Sequence, residues 1–404
     1  MIKRLEVCYI PGLDLRRVDV ENTPYLSKML EKYPWVQIKA IPTGDYLPML
    51  LTGVYPPEHG MEVSLRTDFN SSINSVLTKR FPDLLTTTFQ CLIHLFAGSF
   101  DLATVPTWRR RRFDIKRARY VSKVVNNLIR FNGIDSIFNI IGVSKSKYIG
   151  INSIDDLKGM LMKYVTGENK LEIIEIYFID LLQHWYLDDI DKILKNYSSI
   201  DNLLERLHTK LKRDNISLML LSDHGQEPVK GSVNIKGKLN DLGLNKDEYT
   251  YYLEPAKARF WFHTDRARER IVNMLSSFEH GTILSYKDLH QYNLKYPDNR
   301  YGEIFFITDL GYIIFPHDFY HPLANLFLGL TDKQQRSRVF NPKHRGYHHY
   351  LPYNESEKGF MMLLDQNYKA IKKEAELIDF APTVLTLLEY EKPDYMKGTC
   401  LFTK

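Results

Sequence analysis

Residues 218–228 read LMLLSDHGQEP, a short apolar run that ends abruptly in Asp223, His224 and Gly225. An apolar run of this length, bounded by turn residues, is typical of a strand that is buried on both faces. The polar tip has two interpretations. It is either a polar turn, or a metal site in which Asp223 and His224 are ligands and the glycine lets the backbone bend.

Similar apolar runs alternate with helical segments along most of the chain. Strands are predicted at 5–10, 35–41, 170–180, 215–223, 258–264, 302–315 and 359–365, and helices at 23–33, between 180 and 213, and at 379–390. This alternation predicts an α/β protein, a three-layer α/β/α sandwich with a mostly parallel central sheet. Residues 85–150 interrupt the alternation with a mostly helical pattern, so we expect an inserted cap within one domain, 1–404.

Composition limits the functional classes. The chain has 404 residues, 44% of them hydrophobic, which is enough for a large core. A net charge of +5 is mild and does not by itself indicate a nucleic-acid partner. The three cysteines are scattered without metal-ligand spacing, which favours a reducing compartment, and we expect a cytoplasmic location. No segment offers the roughly 20 apolar residues of a membrane span.

Further candidate ligands follow the predicted strands, where ligands gather in open α/β sheets. Asp180 ends one strand, and His184 lies four residues later, so both face one point if a helix begins there. Thr43 follows another strand and precedes a helix, and His348 and His349 precede a third. Taken alone, each residue is explained as a cap, a turn residue or a solvated side chain. Because they all lie next to predicted strands, together they favour an Asp/His metal site. Zinc is the usual ion at such sites, and manganese is the alternative.

A basic run lies in the predicted cap. It comprises Arg109 to Arg112, followed by Lys116, Arg117 and Arg119. Two interpretations stay open at this point. The run reaches over the site and binds a phosphate or polyanion, for which arginine is suited, or it forms a solvated face of the inserted segment.

Several motifs occur in the order found in one known family. They are TPYLSKM (23–29), LLTGVYPPEHGM (50–61), IDLLQH (179–184), LLSDHGQ (220–226) and RGYHHYLP (345–352). On these motifs the sequence resembles the alkaline phosphatase superfamily, and it is most similar to the type I phosphodiesterase / nucleotide pyrophosphatase branch. The resemblance covers residues 4–60, 172–264 and 301–402 and leaves out 85–150.

The resemblance implies a centre with two divalent metal ions, zinc or manganese. Asp180, His184 and His348 would hold the first ion. Asp223 and His224 would help to hold the second ion. Two ions held close together clamp an in-line displacement at phosphorus, one at the nucleophile and one at the leaving oxygen.

The resemblance also implies a nucleophile and marks two departures. Thr43 occupies the nucleophile position, and Asp45 and His349, which stands where the family has a glycine, are expected on the substrate-binding side. Where the family has an aspartate ligand of the second metal, this chain has Pro11. Either Asp14 or Asp45 then completes the second site, or that site is weakened.

The expected function is therefore hydrolysis of a phosphodiester or nucleotide pyrophosphate bond through a threonyl-phosphate intermediate. The substrate would be a small phosphorylated molecule such as a nucleotide or phosphodiester. Two alternatives stay open. The chain is a phosphotransferase to a sugar or lipid hydroxyl, or a catalytically degenerate homologue that binds a phosphate ligand.

Overall fold

The structure is a computed structural model. It describes residues 2–42, 46–60, 105–110, 112–113, 130–131, 133–163 and 167–404, together with the single positions Leu85 and Thr88. Two predicted site residues, Thr43 and Asp45, lie outside the described residues, as does most of the predicted cap.

The described part of the chain contains nineteen strands. They are β1 (Leu5–Tyr9), β2 (Trp35–Lys39), β3 (Arg130–Phe131), β4 (Ile134–Asp135), β5 (Ser146–Ile151), β6 (Leu171–Ile176), β7 (Ser217–Ser222), β8 (Glu227–Pro228), β9 (Gly231–Val233), β10 (Tyr249–Leu253), β11 (Lys257–Phe262), β12 (Thr282–Ser285), β13 (Ile304–Ile307), β14 (Tyr312–Ile314), β15 (Gly346–Tyr347), β16 (Lys358–Leu363), β17 (Lys369–Ala370), β18 (Glu374–Glu376) and β19 (Phe402–Thr403).

The same residues contain twelve α-helices. They are α1 (Pro24–Lys32), α2 (Leu47–Thr52), α3 (Pro56–His59), α4 (Thr107–Arg110), α5 (Ile137–Ile141), α6 (Ile154–Lys163), α7 (Phe178–Tyr186), α8 (Ile190–Arg213), α9 (Ile235–Asp241), α10 (Asp265–Ser276), α11 (Pro322–Thr331) and α12 (Phe380–Leu387). Short 3-10 turns lie between them, including Leu15–Arg17 and Lys333–Val339.

A seven-stranded sheet forms the centre of the molecule, in the order β18-β2-β16-β7-β1-β6-β5. Strands β7, β1, β6 and β5 are mutually parallel, and β18 runs parallel to β2. Strand β16 is antiparallel to both of its neighbours, β2 and β7. The sheet is therefore mostly parallel, and the predicted fold class is confirmed.

Apolar side chains cover both faces of this sheet, which explains the continuous apolar runs in the sequence. Along β1, Val7 and Tyr9 belong to one core and Cys8 to the other, because successive side chains point to opposite faces. Helices α2, α5 and α12 contribute to the first core, and α1, α6, α7 and α8 to the second. The result is the predicted arrangement of helices on both sides of the sheet.

The predicted strand at 302–315 is two strands in the structure. Strand β13 belongs to a separate antiparallel sheet of order β10-β11-β13-β12, whereas β14 pairs with β9. A turn divides them, in which the N–H of Tyr312 donates to the carbonyl of Asp309 at 2.9 Å and Gly311 has a φ of +86°. A left-handed residue of this kind ends a strand, and glycine adopts it without strain.

The described parts of segment 85–150 are helices α4 and α5, the β3–β4 hairpin and most of β5. Strand β5 is the edge strand of the central sheet and pairs with β6 from Ser146 to Ile151. The last residues of the segment thus belong to the main sheet. The division into one domain with an inserted cap stays a prediction for the remainder. Among the described helices none is both long and apolar enough to cross a membrane.

Candidate metal centre

Two strands on either side of β1 carry acidic residues to one edge of the central sheet. Strand β6 ends at Ile176, and α7 begins at Phe178, so Asp180 lies in the first helical turn. Strand β7 ends at Ser222, and Asp223 follows it directly. Because β6 and β7 both run parallel to β1, their carboxyl ends meet at the same edge.

A short strand pair brings the late histidines to this edge. Strand β15 pairs antiparallel with β8, which begins three residues after His224. As a result the rings of His224 and His348 stack, with centroids 3.6 Å apart and planes inclined by 10°. His349 follows with a φ of +71°, in the left-handed region that favours glycine. This backbone conformation gives a physical reason why the resembling family has glycine there.

Asp180, His224 and His348 form a group that fits a divalent cation. One ligand atom from each lies within 4.8 Å of the others, and all three residues are buried. Nδ1 of His224 lies 2.8 Å from the carbonyl oxygen of Gly225, which assigns the proton to Nδ1 and leaves the Nε2 lone pair for a metal. Nδ1 of His348 is buried and has no hydrogen-bond partner among the described residues. Buried polar atoms are normally satisfied, so an unpaired ring nitrogen at this place fits a metal ligand.

His184 supports this group from α7. Its Nδ1 lies 3.0 Å from the carbonyl oxygen of Gly346, and its Nε2 lies 3.5 Å from Oδ2 of Asp180. It does not belong to the group of three defined by the 4.8 Å distance. The structure therefore brings the three predicted ligands of the first ion together, since Nε2 of His348 also lies 3.8 Å from Oδ1 of Asp180, and their roles as ligands stay a prediction.

Asp180 is held as an anion. Burial alone would raise its pKa, but His184, His224 and a hydrogen bond from Gln226 together lower the pKa of Asp180 to about 2. Nε2 of Gln226 donates to Oδ1 of Asp180 at 2.6 Å and to its main-chain oxygen at 2.9 Å. A carboxylate must be ionised to bind a metal, so these neighbours favour its role as a ligand.

The histidines of the centre differ in their protonation. Burial lowers the pKa of His348 and that of His349 well below the ordinary value, and His224 lowers both further. Burial lowers the pKa of His224, but Asp223 and Asp180 outweigh this effect and raise that pKa, so a metal that binds Nε2 would have to displace a proton. A neutral imidazole keeps the lone pair that a metal needs, so His348 is prepared for coordination.

Asp223 is engaged by the end of β1. The Tyr9 hydroxyl donates to Oδ2 of Asp223 at 2.5 Å, and the N–H of Gly12 donates to Oδ1 at 3.3 Å. Burial raises the pKa of Asp223, although His224 and the Tyr9 hydrogen bond oppose the change. Pro11, between the two donors, offers no polar side-chain atom.

Asp14 lies in ion pairs outside the Asp/His group. Its carboxylate contacts the guanidinium of Arg16 at 2.7 Å and also that of Arg17. The same carboxylate caps the following 3-10 turn by accepting from the N–H of Arg16 at 2.9 Å. These contacts give no support to the prediction that Asp14 replaces the ligand missing at Pro11.

A buried lysine contacts the residue that precedes the predicted nucleophile in sequence. Nζ of Lys257 is 3.4 Å from the carbonyl oxygen of Pro42, the residue before Thr43, and the side chain is almost fully buried. No motif marks this lysine, because it begins the apolar strand β11. Its ammonium group also lies 4.0 Å from Oε2 of Glu254, so an acidic side chain already balances part of its charge.

Two other buried residues of the centre carry no sequence motif that would have marked them. Tyr9 lies within an apolar strand, and its contact with Asp223 depends on the pairing of β1 with β7. Glu357 is buried and accepts from the N–H of His349 at 3.0 Å. Burial raises the pKa of Glu357 to about 7, against the opposing effect of His224. Gln226, in contrast, could have been identified from the sequence, because it directly follows Asp223, His224 and Gly225.

The first arginine of the basic run neither faces solvent nor is free for a phosphate. Arg109 is buried and forms a two-pronged ion pair with Asp318, with distances of 2.6 and 2.7 Å. Arg112 donates to the hydroxyl of Thr250 and the carbonyl of Tyr249. Both interpretations of the run are thus wrong for Arg109, which anchors α4 to the rest of the chain. Lys116, Arg117 and Arg119 lie outside the described residues.

Comparison with solved structures identifies the class of fold. Murine ectonucleotide pyrophosphatase/phosphodiesterase 5, as an inactive variant in complex with AMP, superposes with a TM-score of 0.60 at 15% identity, covering 97% of this chain and 96% of that one. The human ectonucleotide pyrophosphatase/phosphodiesterase 5 gives 0.61 at 16% identity, covering 98% and 97%. No match was found among curated protein sequences. The fold is that of the alkaline phosphatase superfamily.

A family model gives the narrower assignment. Residues 14–318 match the type I phosphodiesterase / nucleotide pyrophosphatase family. The match spans most of the 404 residues, so the chain belongs to this family. The resemblance inferred from the motifs is confirmed.

Proposed function

We propose that this protein is a divalent-metal-dependent hydrolase of phosphodiester or nucleotide pyrophosphate bonds, with Thr43 as the nucleophile. The observation that carries the proposal is the buried group Asp180, His224 and His348, at the sheet edge where ligands of α/β folds gather. Family membership supports the substrate class. The AMP bound by the murine relative supports a nucleotide in particular.

The residues of the group would hold the metal, and zinc is the proposed ion, with manganese as the alternative. Such an ion supplies a Lewis acid that stabilises charge on a phosphoryl oxygen. In the proposed reaction the Thr43 oxygen forms a bond to phosphorus as the bond to the leaving oxygen breaks. Water then attacks the threonyl phosphate, which releases the phosphoryl product and restores the hydroxyl. Lys257, next to Pro42, would stabilise phosphate charge in both steps.

The test uses purified protein loaded with zinc or manganese and an activated phosphodiester, bis(p-nitrophenyl) phosphate, alongside a nucleotide p-nitrophenyl ester. Thr43→Ala should reduce kcat at least 1000-fold, because loss of a covalent nucleophile typically removes this much or more. Thr331→Ala, at an exposed helix end, is the matched control and should retain full activity. Full activity in Thr43→Ala would refute the mechanism.

Two other outcomes correspond to the remaining alternatives. A phosphorylated alcohol, formed when a sugar or lipid hydroxyl is added, would identify a phosphotransferase. Binding of phosphate without turnover by metal-loaded protein would identify a degenerate homologue, a candidate that Pro11 favours because it lacks a ligand atom. A cytoplasmic location stays a prediction from the scattered cysteines.

A further inference from the structure

We infer that helix α11 and the 3-10 segment after it form a docking surface for an anionic lipid membrane. Helix α11 contains no charged residue, although part of it is exposed. The exposed fractions of Leu323, Leu326 and Leu330 are 39, 46 and 68%. Spacings of three and four residues place these leucines on one face of the helix. An apolar stripe on the exposed face of a helix marks a contact surface.

The 3-10 segment Lys333–Val339 extends this apolar face. It packs along α11, so closely that a Cβ added at Gly329 would collide with the side chain of Val339. Phe340 follows Val339 directly and is 89% exposed, the largest fraction among the large hydrophobic residues that the structure describes. A phenylalanine this exposed gains free energy when an apolar phase covers it.

The same part of the chain is strongly cationic. Residues 321–345 carry five lysines and arginines and a single acidic residue, Asp332, whereas the net charge of the whole chain is only +5. Lys333 and Arg336 are exposed, and neither has an ion-pair partner within the described residues. Apolar side chains bordered by basic residues fit the interface of a membrane with anionic head groups, which attract such residues electrostatically.

Charge favours a membrane over a second copy of this chain. In a two-fold dimer the same patch faces itself, so Lys333 and Arg336 would lie close to their own copies. Like charges brought together across an interface weaken it. An anionic lipid surface has the opposite charge, and its apolar interior covers the leucines as well.

The surface is anchored to α7, the helix that carries Asp180. Arg338 donates to Oδ1 of Asn325 on α11 at 2.7 Å, and its guanidinium lies 4.5 Å from the centre of the Trp185 ring on α7. The hydroxyl of Ser337 donates to the carbonyl of Trp185 at 3.0 Å. A membrane bound at this surface would therefore lie beside the helix that contributes to the candidate metal centre.

Sedimentation of the full chain with phospholipid vesicles measures the binding. We expect tighter binding to phosphatidylcholine vesicles with about one third phosphatidylglycerol than to pure phosphatidylcholine, and weaker binding at about 0.5 M salt. Lys333→Gln combined with Arg336→Gln should weaken binding about 30-fold, because each basic residue near such a surface contributes about fivefold. Leu330→Ser combined with Phe340→Ser should weaken it at least about tenfold, because apolar area is lost.

Two matched control variants lie outside the surface. Arg213→Gln combined with Lys369→Gln removes two exposed cations, and Val143→Ser combined with Met162→Ser removes two exposed apolar side chains. Both should bind anionic vesicles as the wild type does. An equal loss of binding in the surface and control variants would overturn the inference, and so would equal binding to pure phosphatidylcholine.

Other occupants of the surface give different results in the absence of lipid. A dimer in sedimentation-velocity runs that dissociates in the Leu330/Phe340 variant would identify a second copy of the chain and refute membrane docking. A lower melting temperature of this variant would show that the chain itself covers these residues, which also refutes it. Hydrolysis of bis(p-nitrophenyl) phosphate, a soluble substrate, should be equal in all these variants. Failure of lipid binding therefore leaves the proposed function intact, and the reverse also holds.

Discussion

Replacing His317 with asparagine should make the protein less sensitive to acid. His317 is buried after β14, and the N–H of Phe319 donates to its Nδ1 at 3.2 Å. That bond requires a lone pair on Nδ1, so the folded protein holds the ring neutral. Burial lowers the pKa of His317 from 6.5 to about 3, with Asp318 opposing and Arg338 and Lys236 adding to the decrease.

The sign follows from the difference between the folded and unfolded states. The unfolded chain takes up a proton near pH 6.5, whereas the folded chain excludes it down to about pH 3. Stability from His317 is therefore complete above pH 6.5 and is lost as the pH falls between these values. At pH 5.5 the unfolded ring is about 90% protonated, which amounts to a loss of roughly 1 to 2 kcal/mol relative to pH 8.

Urea unfolding at pH 8 and pH 5.5, followed by tryptophan fluorescence, measures this loss. Asparagine keeps an acceptor oxygen near the position of Nδ1 but does not titrate. We expect the free energy of unfolding of His317→Asn to fall less between the two pH values than that of the wild type, by roughly 1 to 2 kcal/mol. Identical pH dependence in both proteins would refute the reasoning. The control is His290→Asn, at an exposed position. The reasoning would also be refuted if this variant reduced the pH dependence of the free energy of unfolding as much as His317→Asn does.

Three further predictions concern the buried ion pair, the central sheet and the metal. Arg109→Met leaves the buried Asp318 carboxylate without its cation, which should cost about 3 to 5 kcal/mol in urea unfolding, and Asp318→Asn added to it, which keeps an oxygen to accept from the N–H of Leu253, should recover most of the loss. Gly359→Ala places a Cβ far inside contact distance of the Ser222 carbonyl on β7, so the melting temperature of this variant should fall. A melting temperature equal to that of the wild type would contradict the close packing of β16 against β7. Removing the metal with a chelator should lower the melting temperature reversibly, because the ion binds only the folded chain; an ion present at 100 times its Kd contributes about 2.7 kcal/mol.

Five of the seven strands of the central sheet, β1, β2, β6, β7 and β16, were predictable because they carry their own signal, whereas β5 and β18 were not predicted. Apolar runs mark β1, β6 and β7 wherever both faces of the sheet are covered, and the acidic residues after them then follow from parallel pairing. The predicted limits differ from the observed ones by a few residues. The largest difference is at 170–180, where the strand ends at Ile176 and the last residues already form helix α7.

The way in which the ligands combine could not be read from the sequence. His348 reaches His224 through strands of two residues each, and segments this short carry no periodicity. The ion pairs of Asp14 could be anticipated because Arg16 and Arg17 follow it directly, and its role as a ligand stays a prediction. Arg109 was beyond prediction, since its partner Asp318 lies about 200 residues away.

The position of β16 affects how the chain can be synthesised. This strand separates β2 from β7, yet it is encoded about 140 residues after the end of β7. At translation rates of about 5 to 20 residues per second, the edges of β2 and β7 stay unpaired for roughly 7 to 30 s before β16 has been made. The sheet therefore closes only after these further residues have been made. Chaperones that hold incomplete chains should thus improve the yield of folded protein.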